Sequence, residues 1–129
     1  MTDNTPPLVW PAIGGGLAGA AGVALSAAAA HVDASDFVRS AAAMALGHAP
    51  LLILLAVPGI RRVIRRPVLP ALMVTIGLVL FCGDMVARAF FDFSLFHYAA
   101  PTGGSLLILG WLTTAALALP ALFARRKVS

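Results

Sequence analysis

Four long apolar stretches alternate with short polar connections along the chain, and this pattern predicts four helices. The stretches run from Leu8 to Ala30, Phe37 to Ile60, Leu69 to Phe91 and Thr102 to Ala124. Each is long enough to cross a membrane, which takes about 20 mostly apolar residues in a helix. Because the connections are short, sequential helices are expected to be antiparallel neighbours. The sequence therefore predicts a single all-α membrane domain over residues 1–129, arranged as a four-transmembrane-helix up-down bundle.

Composition excludes several other classes of protein. Hydrophobic residues make up 60% of the chain, charged residues make up 11%, and the mean hydropathy is +0.96. A soluble domain is usually about half apolar and about a quarter charged. A disordered tail, a coiled coil and an ordinary water-soluble enzyme are therefore excluded, and an integral membrane protein remains.

Basic residues are distributed unequally between the two ends of the predicted bundle. With four spans, both termini and the middle connection share one side, and that side carries Arg61, Arg62, Arg65, Arg66, Arg125, Arg126 and Lys127. The positive-inside rule places this side in the cytoplasm, most simply at a bacterial inner membrane. The net charge of +4 is explained by this topology, so no nucleic-acid partner is expected.

The first stretch has a competing interpretation as a cleaved signal peptide. A signal peptide has a positively charged segment before its apolar core. The residues before Leu8 contain no Lys or Arg and include Asp3. A retained first helix is therefore expected.

Small residues recur at spacings of three and four in the first and fourth stretches. Helices in lipid associate by close packing of small residues, because lipid provides no hydrophobic driving force between them. The predicted packing positions are Gly15, Gly19, Gly22, Ser26, Gly103, Gly104 and Gly110. Packing within the protein's own bundle is the favoured interpretation, and a dimer face is the alternative.

Three ionisable residues well inside the predicted spans are candidates for function, namely His48, Asp84 and Arg88, whereas Arg39 lies near the start of its span. Such residues are costly in hydrocarbon and are candidates for function. His48 is able in principle to relay a proton or to ligate a metal or haem, although a histidine hydrogen-bonded inside the bundle is the favoured alternative. Asp84 and Arg88 are four residues apart, a spacing that predicts an ion pair along one helix face.

A second polar group, His31, Asp33, Asp36 and His97, lies in the two connections opposite the basic side. These residues are a candidate metal site, but their spacing matches no specific ligand pattern. Capping of the second helix by Asp33, Ser35 or Asp36 is the favoured interpretation. No nucleophile motif, phosphate-binding loop or paired zinc ligands occur, so no catalytic residue, metal or cofactor is expected.

Four sequence blocks carry a family resemblance. They are the segment Gly22–His31, the leucine-rich run after His48, the segment Gly77–Asp84, and a final group made of Pro101, Gly103, Gly104, Gly110 and Trp111. In order and spacing, these blocks resemble the YgdD-like family of small membrane proteins of unknown function. The resemblance extends from about Gly19 to Leu117 and implies four helices, two motif histidines at His31 and His48, and no established activity.

The chain also departs from the pattern of that family. Where the family has a Phe-Gly pair, a Tyr-Gln pair and two serines, this sequence has Ala28, Ala29, Met44, Ala45, Cys82 and Asp84. The resemblance thus implies that polar neighbours of His48 have been lost while a carboxylate has been gained.

The sequence is compatible with three functions. The favoured hypothesis is a non-enzymatic accessory or structural subunit that packs in the lipid bilayer against another membrane protein or against itself. The second is an oligomeric carrier or channel for protons or small solutes that uses His48, Asp84 and Arg88. The third is a cofactor- or metal-binding membrane protein.

Overall fold

The computed structural model describes residues 6–126, which fold into four long α-helices and one short 3-10 helix. The long helices are α1 (Val9–His31), α2 (Asp36–Ala56), α3 (Val68–Phe91) and α4 (Ala99–Arg126), and the 3-10 helix spans Pro58–Arg62. All four long helices are long and apolar enough to cross a membrane. The predicted all-α fold with four transmembrane helices is confirmed.

The helix ends follow from local sequence. Ser35 caps α2, and its hydroxyl accepts a hydrogen bond from the Val38 N–H. α2 ends at Ala56, earlier than the predicted Ile60, because the chain turns at Pro58 into the 3-10 helix. A proline lacks the N–H that would continue the helical hydrogen-bond pattern. α3 ends at Phe91, and its C-cap, Asp92, has a left-handed backbone conformation (φ 55°). Asp tolerates this conformation better than most non-glycine residues.

α1 packs closely against α2 through two glycines. A Cβ atom placed on Gly15 would lie 2.8 Å from the Ala49 carbonyl oxygen, and one placed on Gly22 would lie 2.6 Å from Leu46 Cγ. Neither position has room for a side chain. Small residues that let backbones approach are the usual means of helix association in lipid.

α3 and α4 form a second close pair. A Cβ atom on Gly103 would lie 2.6 Å from the Phe81 backbone nitrogen, and one on Gly77 would lie 2.9 Å from the Gly103 carbonyl oxygen. Further along the same contact, a Cβ atom on Gly110 would lie 2.7 Å from Val74 Cγ2. The two helices therefore meet backbone to backbone.

The two helix pairs join through α2 and α3. The buried core between them contains Leu51, Leu52, Leu55, Ile64, Ala71, Val74, Leu78 and Leu107. Cys82 adds a hydrogen bond from its Sγ to the Ala41 carbonyl oxygen, 3.5 Å away. Each helix thus packs mainly on its sequence neighbours, α1 also touches α3, and α1 and α4 form no comparable contact with each other in the described part of the chain. Consequently α1 and α4 leave most of their apolar surface exposed at the two sides of the bundle.

The two ends of the bundle differ in charge. The N-terminal segment and the middle connection meet where Arg61 Nη2 donates to the Pro6 carbonyl oxygen at 3.2 Å. The C-terminal part of α4 is at the same end, where Arg62 and Ala124 line one small groove. We call this the basic end. The opposite end carries the two connections 32–35 and 92–98.

Candidate functional site

Asp84 is the most deeply buried ionisable side chain that the structure describes, with 0% of its surface exposed. One carboxylate oxygen, Oδ2, accepts a hydrogen bond from Arg88 Nε at 2.7 Å. The other, Oδ1, accepts one from the Leu95 backbone N–H at 2.8 Å. Arg88 is about one-third exposed, so its guanidinium reaches toward the end of α3 while its Nε neutralises the carboxylate. Both oxygens of this buried carboxylate thus have hydrogen-bond partners, and we call the group with its two partners the Asp84 anchor.

This anchor holds the connection 92–98 against α3. Leu95 folds back so closely that its Cδ1 would lie 3.3 Å from a Cβ atom on Gly83. The connection remains largely exposed and carries Phe93, Phe96 and Tyr98. Aromatic side chains favour the boundary between membrane and water. Asp84 therefore positions an aromatic connection at the opposite end of the bundle.

His48 occupies the middle of the bundle, about 18 Å from the start of α2 at a rise of 1.5 Å per residue. Its Nδ1 lies 2.7 Å from the Met44 carbonyl oxygen. A carbonyl only accepts, so Nδ1 carries the hydrogen of this bond. The imidazole is 8% exposed, and its ring centroid lies 6.0 Å from that of Trp111 on α4. The bond to Met44 fixes the ring in a contact within its own helix.

The structure does not bring the three intramembrane candidates into one site. Asp84 and Arg88 bond to each other near the end of α3, whereas His48 bonds to Met44 near the middle of α2. No hydrogen bond or ion pair joins His48 to either of the other two among the described residues. A pathway lined by all three does not follow from the geometry of one chain.

The candidates in the connections of the opposite end have local contacts. Asp33 Oδ1 accepts from the Ser35 N–H at 2.9 Å, and Asp36 forms an exposed pair with Arg39 at 3.6 Å. His97 packs edge-on against its neighbour Tyr98, and His31 is the exposed last residue of α1. Among the described side chains, no three His, Cys, Asp or Glu are grouped so that they could share a metal ion.

The remaining predicted packing residues have looser surroundings. A Cβ atom on Gly19 would lie 3.7 Å from Ala49 Cβ, and one on Gly104 would lie 3.8 Å from Phe81 Cδ2, both ordinary contact distances. Ser26 turns its hydroxyl back to the Gly22 carbonyl oxygen, 2.9 Å away. These three residues lie beside the helix contacts but are not points of closest backbone approach.

Two features of the interior had no signal in the sequence. The backbone N–H of Leu95 is the second partner of Asp84, and a backbone group cannot be recognised from residue types. Thr75 has a buried hydroxyl without a hydrogen-bond partner in the described structure. Gly77, by contrast, was detectable in principle, because glycine in a membrane helix indicates close backbone approach.

An open apolar groove runs along the pair α1–α2. It has a volume of about 670 Å³ and is lined on α1 by Gly16, Gly19, Ala20 and Val23, and on α2 by residues around Pro50. Gly16 faces open space, with nothing within 4 Å of a Cβ atom placed on it. The small exposed residues Gly16 and Ala20 thus leave this side of α1 open beside α2.

A second groove lies at the basic end. Its volume is about 630 Å³, and its lining residues are Leu8, Arg61, Arg65, Arg66, Pro67, Val68, Leu69 and Leu72. Arg62 does not line this groove but a smaller one against the end of α4, which Arg65 also borders. Arg125 and Arg126 are the last two residues of α4, and Lys127 lies outside the described residues.

These features define a small multi-pass membrane protein with four transmembrane helices and closely packed glycine contacts. The model of the family DUF423, described as a protein of unknown function, matches residues 18–104, more than half of the chain. The chain therefore belongs to this family, in agreement with the resemblance to an uncharacterised family. The match ends before Gly110 and Trp111. No solved structure matches the chain.

Proposed function

We propose that this protein is a non-enzymatic membrane subunit that acts by packing against another transmembrane protein or a second copy of itself. The observation that carries the proposal is the open apolar groove on α1 and α2, where the small exposed residues Gly16 and Ala20 leave one face of α1 uncovered. Small residues on an exposed helix face allow a further helix to approach closely.

The buried polar groups support the same proposal. Asp84 uses both oxygens to hold Arg88 and Leu95, and His48 uses Nδ1 to hold the Met44 carbonyl. Their contacts stabilise the bundle and position the connection 92–98. A role in architecture accounts for them without a reaction.

We expect Gly16→Leu to weaken the assembly about tenfold or more while leaving the fold intact. A leucine at this position fills the groove, and overpacking a helix contact costs about 1–3 kcal/mol. A Cβ atom at this position has no atom within 4 Å, and replacing a helical glycine raises helix propensity, so the midpoint of thermal unfolding should not fall. Native gel electrophoresis of gently extracted membranes measures the assembled fraction.

Gly47→Leu is the matched control. Gly47 is also helical and also faces open space, but it does not line the groove. It should retain both assembly and stability. If Gly16→Leu assembles as well as Gly47→Leu, the groove is not the contact surface.

We further propose that the basic end faces the cytoplasm of a bacterial inner membrane, with both termini inside. Support comes from the arginines Arg61, Arg62, Arg65 and Arg66 at that end and from Asp33, Asp36 and Asp92 at the other. A cysteine introduced at Arg62 should be blocked by a membrane-impermeant thiol reagent only after the cells are opened, whereas one at Phe96 should be blocked in intact cells. The reverse pattern would contradict this orientation.

The carrier and cofactor hypotheses lose support from the geometry of the single chain. Both need polar groups that converge, and His48 is separated from the Asp84–Arg88 pair. Both remain hypotheses that require an oligomer in which polar groups of several chains converge.

A further inference from the structure

We propose that the groove at the basic end is a binding site for an anionic phospholipid. Three arginines, Arg61, Arg65 and Arg66, border this groove, and its remaining wall is apolar. A phospholipid with a net negative headgroup has the matching amphipathic character: a phosphate for the guanidinium groups and acyl chains for the apolar wall. Its volume of about 630 Å³ is within the range of small-molecule sites, about 300–1,000 Å³.

The charge at this groove is not neutralised by the described part of the chain. The described residues form two ion pairs, Arg39–Asp36 and Arg88–Asp84, and neither pair includes a residue of the groove. Arg65 and Arg66 are exposed, and their side chains form neither a hydrogen bond nor an ion pair with described residues. The sequence has no Asp or Glu between Asp36 and Asp84, and Asp3, the one acidic residue before α1, lies outside the described residues.

The start of α3 adds to the positive potential. Pro67, Val68 and Leu69 line the groove, so the N-terminal end of α3 opens onto it. The first turn of α3 contains no acidic residue. A helix N-terminus carries a partial positive charge and favours bound phosphate. The guanidinium groups and the helix dipole therefore both favour a bound anion at this groove.

The apolar wall distinguishes a lipid from a free phosphate. Leu69 and Leu72 are both roughly half exposed and lie one turn apart, so they continue the groove from the arginines toward the membrane interior. An acyl chain gains from contact with this wall, whereas a soluble anion gains nothing from it. Arg61 also ties the N-terminal segment to this site through the Pro6 carbonyl oxygen, which places Leu8 on the facing wall.

The test is native mass spectrometry of the full chain after delipidation in a neutral detergent. Phosphatidylglycerol and phosphatidylcholine with identical acyl chains are added separately. We expect phosphatidylglycerol to bind more tightly. The double variant Arg65→Gln/Arg66→Gln should weaken its binding about 25-fold, since one basic residue near an anionic lipid surface contributes about a factor of five. Equal binding of both lipids to the wild-type chain would overturn the proposal.

Three further measurements distinguish lipid binding in this groove from general electrostatic attraction between the basic end and an anion. Arg62→Gln removes an equal charge outside the groove and should leave phosphatidylglycerol binding unchanged. Leu72→Trp keeps every charge but fills the groove, and it should reduce binding of phosphatidylglycerol at least tenfold. An excess of inorganic phosphate should not displace the lipid. Displacement by phosphate, or full binding to the Leu72→Trp chain, would show that the groove is not a lipid site.

Discussion

Asp84→Ala is expected to destabilise the protein by about 2–3 kcal/mol. Removing one partner of a buried ion pair costs about 3–5 kcal/mol, and the value is lower here because Arg88 is about one-third exposed and can turn toward water. The substitution also leaves the Leu95 N–H without its acceptor. Thermal unfolding in mild detergent measures the loss, and protease digestion should show faster cleavage in the released connection 92–98.

The exposed pair of Asp36 and Arg39 provides the control. Its atoms lie 3.6 Å apart and the Asp36 side chain is 98% exposed, so Asp36→Ala should lower the unfolding midpoint far less than Asp84→Ala, even though it also removes a negative charge from the first turn of α2. The double variant Asp84→Ala/Arg88→Ala should lose less stability than the sum of the two single variants, because it leaves no unpaired guanidinium. Equal effects of Asp84→Ala and Asp36→Ala would mean that Asp84 is not an anchor.

Gly103→Ala is expected to destabilise the contact between α3 and α4 by about 1–3 kcal/mol, the usual cost of overpacking. The added methyl group would lie 2.6 Å from the Phe81 nitrogen and 2.8 Å from the Gly77 carbonyl oxygen. Both atoms belong to the backbone, so no side chain can turn away. The helices must separate by about 1 Å to restore ordinary contact distances. The midpoint of thermal unfolding in mild detergent measures this cost.

Gly104→Ala is the matched control on the next residue. Its methyl group would lie 3.8 Å from Phe81 Cδ2, an ordinary contact. Both substitutions raise helix propensity by about 1 kcal/mol, so this contribution cancels in the comparison. Gly104→Ala should be neutral or stabilising. If the two variants unfold at the same temperature, α3 and α4 do not meet at Gly103.

Much of the fold follows from the sequence because membrane helices are encoded locally. Runs of apolar residues fix the number of helices, and Ser35 marks the start of α2, whereas the end of α2 at Ala56 falls four residues before the predicted Ile60. The glycines at 15, 22, 103 and 110 stand where the helices meet, since close backbone approach requires them. These signals depend on residue type and spacing alone.

Contacts distant in sequence were not accessible in the same way. The pairing of Asp84 with Arg88 follows from a spacing of four, but its bond to the Leu95 backbone depends on how the connection folds back. Likewise, the contact between His48 and Trp111 depends on the arrangement of α2 and α4. The two grooves arise from the surfaces that neighbouring helices leave uncovered, which no single helix reveals.

The central claim is that the protein acts by assembly within the membrane. Native mass spectrometry of the wild-type chain, gently extracted together with its neighbours, tests it most directly. The account predicts a stoichiometric complex, with a second copy or one defined membrane protein, that the Gly16→Leu chain fails to form and the Gly47→Leu chain retains. A wild-type chain that is monomeric under conditions that preserve other membrane complexes would contradict the account.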